Sequence, residues 1–271
     1  MHLFDSEIIS REPLAAEIWR LRLTTDTQFV QAATPGRFVM LGLPGFGFDP
    51  FLLRPFGICR SGADWFEVII KVVGKGSRQI CRLRPGERIR VHGPLGNGYP
   101  DPDLNASEWL ILVAGGMGIV SLASYIFNTL KNGFSLKKTI LLYGAGSKKE
   151  LVLSSEINEA IISGLEVHTI TDDGSCGRQG LVTELLHDRL QQRPRSIVFS
   201  CGPEAMLKGV QKIILENHCH GYLSLENRMA CGFGVCLGCV QPVLGSKGSD
   251  LLGNAKVCTD GPVFPAWKVV F

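Results

Sequence analysis

Short stretches with a period of two recur along the first hundred residues: Ile18–Leu23 (Ile-Trp-Arg-Leu-Arg-Leu), Phe66–Val72 and Arg88–Val91. Pro35-Gly36, Pro44-Gly45, Pro85-Gly86 and Gly93-Pro94 punctuate them, as turns punctuate half-buried strands. Many short strands with Gly/Pro turns predict a small antiparallel barrel, with one short helical piece near Ser77–Leu83. Pro100-Asp101-Pro102-Asp103 reads as a linker, and the pattern then changes. Strand-like runs alternate with helical ones: Leu110–Ala114 then Ile119–Lys131, Thr139–Tyr143 then Glu150–Ile162, Glu166–Thr171 then Leu181–Leu190, Ser196–Cys201 then Glu204–Asn217. Four β–α repeats predict a parallel sheet covered on both faces. From residue 218 the periodicity lapses into Gly- and Cys-rich sequence, which builds little core of its own and calls for a staple. The expected fold is multidomain, β plus α/β: an antiparallel β-barrel over 1–101, a parallel-sheet nucleotide-binding domain over 102–217, and a small C-terminal region over 218–271.

Trp109–Leu130 carries no charge and would pass for a membrane span by hydropathy alone. Gly115-Gly116-Met117-Gly118 interrupts it after a β-rich run, so a buried strand, a glycine turn and a buried helix explain it better. Composition agrees: 271 residues, 45% apolar and 20% charged, suit folded domains and exclude disorder. The formal charge of +3 is too near balance to point to nucleic acid. Met1–Glu7 has acids where a secretion signal would be basic and apolar, so a reducing cytoplasm is expected. Nine cysteines, an odd number, fit a fully paired disulfide framework poorly.

Four of them are organised. Cys231, Cys236 and Cys239 follow C-x4-C-x2-C, and eighteen residues separate Cys239 from Cys258. This is the arrangement of a plant-type [2Fe–2S] cluster, and the glycines at 232, 234 and 238 let backbone amides approach the sulfurs. A zinc staple is the alternative. Cys59, Cys81, Cys176 and Cys219 read as small buried side chains.

Ala114-Gly115-Gly116-Met117-Gly118-Ile119 closes a strand and opens a helix, where amides and the helix dipole favour a pyrophosphate. A tight turn packing helix on sheet would look the same, since Ser121 occupies the last position of a G-x-G-x-x-G. Ser200-Cys201-Gly202-Pro203-Glu204 ends the last β-run at the edge where open α/β sheets bind ligands. Two such turns in one domain point to a dinucleotide crevice. In the barrel, Arg54-Pro55-Phe56-Gly57 offers a guanidinium fork and Gly74-Lys75-Gly76-Ser77 a donor-rich turn; an exposed arginine and an ordinary loop are the alternatives. Arg78, Arg82, Arg84, Arg88 and Arg90 lack interleaved aromatics and read as a solvated or partner-docking face. Ser147-Lys148-Lys149 could meet a 2′-phosphate or be a solvated loop, leaving NAD and NADP both open.

The order barrel, dinucleotide domain, cluster resembles the ferredoxin-reductase superfamily. Within it, Ser224-Leu225-Glu226-Asn227-Arg228-Met229-Ala230-Cys231-Gly232 and Lys256-Val257-Cys258-Thr259-Asp260-Gly261-Pro262-Val263-Phe264 are similar to the electron-transfer subunits of NAD-dependent (type B) dihydroorotate dehydrogenase. Val72–Ser77, Gly93–Gly98 and Thr171–Ser175 share that likeness. The resemblance implies FAD contacts from Arg54, Pro55, Phe56, Gly57, Ile69, Ile70, Lys71, Gly76 and Ser77. It implies cluster ligation by Cys231, Cys236, Cys239 and Cys258, and an NAD site lined by Gly115, Gly116, Gly118, Cys201 and Gly202. Cys201 would border the nicotinamide or be a packed strand-end thiol. The implied partner is an FMN-containing catalytic subunit, two of each forming a heterotetramer, that oxidises dihydroorotate in pyrimidine (UMP) biosynthesis. An electron-transfer subunit of a hydrogenase, or a ferredoxin–NADP reductase, would share every cofactor motif. From another class, a zinc-stapled nucleotide-binding regulatory protein is the rival. Two motifs depart from the family's: Gly57 stands where Arg-Pro-x-Ser is usual, and Met117 and Ser121 replace the Ile and Pro of Gly-Ile-Gly-x-x-Pro.

Overall fold

The computed structural model describes residues 2–44, 49–102, 104, 109–245 and 252–271; Gly45 of the second turn and Asp103 of the linker lie outside them. The barrel is built from β1 (His2–Ala15), β2 (Ile18–Thr24), β3 (Phe38–Gly42), β4 (Arg54–Ser61), β5 (Trp65–Lys71) and β6 (Arg88–Leu95). It closes in the order β1-β2-β5-β4-β3-β6, with every pairing antiparallel, so no strand edge is left to aggregate. The alternation read in β2 and β5 aims Leu21, Leu23, Val68 and Ile70 inward with Ile8, Val39, Leu41 and Val91, all fully buried. Two short helices, α1 (Thr27–Ala32) and α2 (Lys75–Ile80), complete this part. Three of its strands escape the periodicity for physical reasons. β1 buries only Ser6 and Ile8 of its 14 residues, and its halves pair with different neighbours, β6 then β2. β3 is buried throughout and has no alternation to show. β4 buries only two of its eight residues, Ile58 and Cys59.

The second part follows the predicted repeats: β7 (Trp109–Gly115), α3 (Ile119–Lys131), β8 (Thr139–Ala145), α4 (Ser154–Ile162), β9 (Glu166–Thr171), β10 (Arg178–Gln179), α5 (Val182–Gln192), β11 (Ser196–Cys201), α6 (Glu204–Glu216) and β12 (His220–Ser224). Both faces of β7 are buried, which explains its unbroken apolar run. Leu110, Leu112 and Ala114 pack with Ile119, Leu122 and Ile126 of α3. Ile111 and Val113 pack with Leu186 of α5 and Val210 of α6. The helix expected over Glu150–Ile162 begins four residues later, because Lys148–Glu150 form a 3-10 turn and Leu153 has φ 64°. No helix among the described residues is long and apolar enough to cross a membrane.

The C-terminal region contributes more core than its lack of periodicity suggests. β12 joins β11 in parallel, and β15 (Val263–Pro265), which follows the hairpin β13 (Val240–Leu244) and β14 (Leu252–Lys256), adds an antiparallel edge to β12. Val257, Phe264 and Val269 are buried against the main sheet core. The seven-stranded order is therefore β10-β9-β8-β7-β11-β12-β15. The chain runs outward from β7 through β8 and β9, then resumes at β11 on the other flank of β7. The crevice at the carboxyl ends of β7 and β11 is thus the topological switch point, where such sheets bind ligands. Barrel and sheet are joined by Arg20 with Glu156, by the Gly36 amide donating to Ser124 Oγ (3.1 Å), and by Lys131 Nζ donating to the Ser61 carbonyl (3.2 Å).

Candidate functional site: two adjoining cavities and a cysteine loop

The two strand-end glycine turns meet at the switch point. A Cβ on Gly202 would stand 3.1 Å from Gly115 Cα, and one on Gly118 would overlap the Cys201 carbonyl. Gly118 is needed because the Cys201 backbone passes too close for any side chain, whereas a Cβ on Gly202 would meet the flexible Met206 side chain first, at 2.5 Å. Gly116, at φ +50°, needs its missing Cβ for conformation rather than space. Gly115, Gly116, Gly118 and Gly202 all line one cavity of about 780 Å³, a volume typical of small-molecule sites. The N-terminal ends of both helices border it, through Gly118 before α3 and Pro203, Ala205 and Met206 at the start of α6; the first α3 amide, of Ile119, is already bonded to the Gly116 carbonyl. Its far end is closed by Gly144–Gly146, Glu150, Asp172 and Val182. Lys148 and Lys149 do not line it; Glu150 does, and the Lys148 amide instead donates to Ser175 Oγ (2.7 Å). The end where a 2′-phosphate would have met the lysines is therefore acidic.

A second cavity, of about 410 Å³, lies between the barrel and the sheet. Pro55, Phe56 and Gly57 of β4, Ile69 and Lys71 of β5, Val120 and Ser121 of α3, and Cys201 of β11 form its walls. Other predicted flavin contacts fall elsewhere. Ile70 is fully buried inside the barrel, so only its backbone could serve. Arg54, Gly76 and Ser77 are brought together beside β5, with the Arg54 guanidinium lying where a Gly76 side chain would be. The Ser77 hydroxyl is not a free donor: it accepts from the Val73 and Gly74 amides (3.0 and 3.2 Å) and donates to the Gly74 carbonyl (3.1 Å).

Cys201 sits on the floor of this cavity, 3% exposed. Burial and then the field of Glu226 push its thiol up to about 12, against opposing hydrogen bonds from Ser224 and Ser121. It is a neutral thiol, not a nucleophile. Tyr99 Oη lies 3.1 Å from Ser121 Oγ, so Tyr99 joins the same buried polar group.

Lys71, Met117 and Glu226 line both cavities, which therefore adjoin. Lys71 reaches across the mouth to Glu150 (3.3 Å). Glu226 is accessible from the cleft yet walled by protein, and this desolvation raises its carboxyl above the ordinary 4.5. Glu226, Ser224, Asn227 and Met229 were not singled out as site residues from the sequence. Their signal was available: they end or follow a further parallel strand, β12, at its ligand-facing end, but β12 was hidden in the aperiodic tail.

From there the chain enters the cysteine loop. Gly232 and Gly234 have φ of +78° and +83°, and a Cβ on Gly232 would press on Met40 of β3 at 2.8 Å, so the loop rests on the barrel. The cysteines associate in two pairs. Cys231 faces Cys236, whose amide donates to Cys231 Sγ at 3.5 Å; desolvation is outweighed by amides of Cys236, Phe233 and Val235, which hold the Cys231 thiol down at about 6. Cys258 faces Cys239; burial and that neighbour push its thiol up to about 12. The Gly238 amide donates to Cys236 Sγ (3.4 Å). No three His, Cys, Asp or Glu residues among the described ones converge as ligands of a single ion, whereas two irons sharing sulfides take two thiolates each. The donor set fits a two-iron cluster. Of the remaining cysteines, Cys59 and Cys81 are buried as expected, while Cys176 and Cys219 are only half-buried.

These features have relatives. Residues 226–270 match the iron–sulfur cluster binding domain of dihydroorotate dehydrogenase B, and residues 112–212 match the oxidoreductase NAD-binding domain. A solved NADH-dependent reduced ferredoxin–NADP oxidoreductase, described for flavin-based electron bifurcation, superposes with TM-score 0.78 at 26% identity over 98% of this chain and 89% of that one. A ferredoxin NADP+ reductase from Neisseria gonorrhoeae, with bound FAD and NADP, shares the fold at TM-score 0.67 and 17% identity, covering 84% of this chain and 95% of that one. Barrel, switch-point crevice and cysteine loop thus define an NAD-linked oxidoreductase of the ferredoxin-reductase fold. The dihydroorotate dehydrogenase B (NAD(+)) electron transfer subunit of Lysinibacillus sphaericus is 33% identical over 264 residues, 97% of this chain and 96% of its own. The probable one of Thermococcus kodakarensis is 34% identical over 261 residues, 95% and 94% of the two chains. The chain belongs to the family of dihydroorotate dehydrogenase B electron transfer subunits.

Proposed function

We propose that this chain carries electrons between a catalytic subunit that oxidises dihydroorotate and NAD+, through a [2Fe–2S] cluster and FAD. The observation that carries the reading is continuity. The nucleotide cavity adjoins the smaller one along Lys71, Met117 and Glu226. Met229 of the smaller cavity stands two residues before Cys231, a Cα separation of at most about 7 Å. Bound FAD would supply the conversion between a hydride and single electrons.

In this reading Pro55, Phe56, Gly57, Ile69, Lys71 and the Ile70 backbone hold the flavin. Arg54, with the Gly76 and Ser77 amides, takes its phosphates. Gly115, Gly116, Gly118 and Gly202 let the NAD pyrophosphate approach α3 and α6, and Cys201 borders the nicotinamide as a neutral packing group. The acidic far end, Glu150 and Asp172, suits a ribose diol and repels a 2′-phosphate. Phe233, Val235 and Leu237 stand 45%, 72% and 61% exposed around the cysteine loop, an apolar rim suited to docking the catalytic subunit. We place the barrel at 1–101, the nucleotide domain at 102–217 with β12 and β15 completing its sheet, and the cluster region in the remainder. Free cysteines throughout the described chain suit the cytoplasm.

A visible spectrum with metal analysis, followed by reconstitution, tests this. Flavin bands, a cluster shoulder and NAD+-coupled orotate formation with a catalytic subunit are expected. A colourless, zinc-containing protein would refute it. Activity only with some other redox partner would reassign the chain to a different complex.

A further inference from the structure

The two long walls of the smaller cavity differ in chemistry. On the barrel side, Pro55, Phe56 and Gly57 of β4 present no side-chain donor. On the side of α3 and the sheet, Ser121, Cys201 and Ser224 face the cavity, and behind them stands the Tyr99 phenol. Tyr99 is fixed from two directions: its ring stacks on Phe199 with centroids 4.8 Å apart, and its amide donates to the Pro35 carbonyl (2.9 Å). Its Oη lies 3.1 Å from Ser121 Oγ and also meets the Ser224 hydroxyl. The start of α3 is fixed as well, since the Ser124 hydroxyl donates to the Ser121 carbonyl (2.6 Å) and accepts from the Gly36 amide (3.1 Å).

Counting hydrogens orders this group. The phenol has one hydrogen and two serine neighbours, so it donates to one and accepts from the other. Ser224, 5% exposed, is the more enclosed, while Ser121 is half-buried at the cavity surface. With Ser224 donating to Tyr99, and Tyr99 to Ser121 Oγ, the Ser121 hydrogen is left over. Its remaining neighbour in the group is the Cys201 sulfur, a weak acceptor. We infer that Ser121 donates this hydrogen to an acceptor atom on the rim of the bound flavin ring, and that Tyr99 holds it in that orientation. Other polar side chains on the cavity are engaged: Lys71 by Glu150, and Asn227 by the Arg228 amide and the Val240 carbonyl. The departures at positions 57 and 121 then belong together, because the hydroxyl missing from β4 reappears on α3, along the same cavity. Space does not demand glycine at 57, where a Cβ would meet only Val120 Cγ1, at 3.8 Å. The inference rests on the smaller cavity being the flavin site.

A hydrogen bond donated to the ring favours its reduced, more electron-rich form, so losing it makes reduction harder. Redox titration of the holoprotein reads this without turnover, with flavin absorbance as the signal and cluster spin resonance as an internal reference. For Ser121→Ala at full flavin content we expect the flavin's reduction equilibrium to fall about tenfold, which is about 30 mV for a two-electron couple, while the cluster's stays put. Tyr99→Phe should shift the flavin the same way by less, and Ser121→Thr, which keeps the hydroxyl, should stay near wild type. An unmoved flavin potential in Ser121→Ala overturns the inference. So does a shift produced by Ser224→Ala and not by Ser121→Ala, which would run the hydroxyl chain the other way. Equal shifts of flavin and cluster would mark a general disturbance and overturn it too. If Ser121→Ala loses its flavin, Tyr99→Phe carries the test, and a wild-type potential there overturns the inference. A wild-type protein that holds no flavin refutes the cavity reading itself, and the inference with it.

Discussion

Substituting Gly118 by alanine tests whether the meeting of the two glycine turns is required. The added Cβ would overlap the Cys201 carbonyl and stand 2.7 Å from the Gly202 amide nitrogen. Both are backbone atoms, so relief requires the ends of β7 and β11 to part. Such overpacking costs about 1–3 kcal/mol. If the strain falls on the crevice, NAD(H) affinity drops by about 5- to 140-fold at 1.4 kcal/mol per decade. If it falls on the fold, Tm drops by about 2–12 °C for a chain of this size. Two comparisons grade the effect. At Gly116 a Cβ meets open space but φ is +50°, so Gly116→Ala costs only about 1–2 kcal/mol of left-handed backbone. At Gly253 on β14 the nearest neighbour would be the Val243 carbonyl at 3.8 Å, an ordinary contact, so Gly253→Ala changes neither quantity. Calorimetric titration with NADH and thermal melting of the three variants supply the measurement. Gly118→Ala indistinguishable from Gly253→Ala in both would refute the close-approach reasoning.

Cys236→Ser should lose the cluster's iron and visible shoulder while NADH-driven dye reduction at the flavin largely survives; wild-type iron content would contradict the ligand assignment. Arg54→Ala should lower FAD retention after gel filtration, and unchanged occupancy would remove Arg54 from the phosphate site. Burial would raise the Glu156 carboxyl, but the Ser155 hydroxyl and the Arg20 guanidinium outweigh it and hold it below 4.5. Its stabilising contribution is therefore complete above pH 4.5 and fades as pH falls through the depressed value; Glu156→Gln should flatten the acid limb of a Tm-against-pH curve, and an unchanged limb would count against a barrel–sheet latch.

What the sequence disclosed and what it withheld divide along a physical line. Strands buried on both faces, such as β7, β8 and β11, announce themselves as apolar runs, and the glycines after them mark the crevice because only backbone contacts force glycine there. The cysteine loop is legible from spacing, since a two-iron cluster dictates which positions can carry sulfur. β1 buries only two of its residues and was missed, as was the αL residue Leu153 that delays α4. The Ser77 hydroxyl looked free because nothing in the sequence tells a donor turned inward to its own turn from one turned outward. Glu226 was in view within the family motif, yet its place in the cleft depends on Lys71 and Met117, over a hundred residues away in the chain.

The aperiodic tail turns out to be the part that fixes the relay's geometry. Had residues 218–271 been an appended flap held only by metal, the cluster could drift relative to the flavin cavity. Instead β12 is hydrogen-bonded into the main sheet beside β11, and β15 clamps its other edge. The Asn97 side-chain amide, just beyond β6, donates to the carbonyls of Thr259 and Asp260 on the far side of the cysteine loop (3.1 and 3.3 Å). Ser224 ends β12 on the wall of the smaller cavity, and Cys231 follows seven residues later. The loop itself leans on Met40 of the barrel. The first cysteine is thus tied to the sheet through backbone and to the barrel through packing, the same two bodies that enclose the smaller cavity. A rigid link of this kind keeps one-electron transfer distance constant while the nucleotide cavity stays open to exchange NAD(H), so the mobile step of the cycle is confined to the side where hydride enters or leaves.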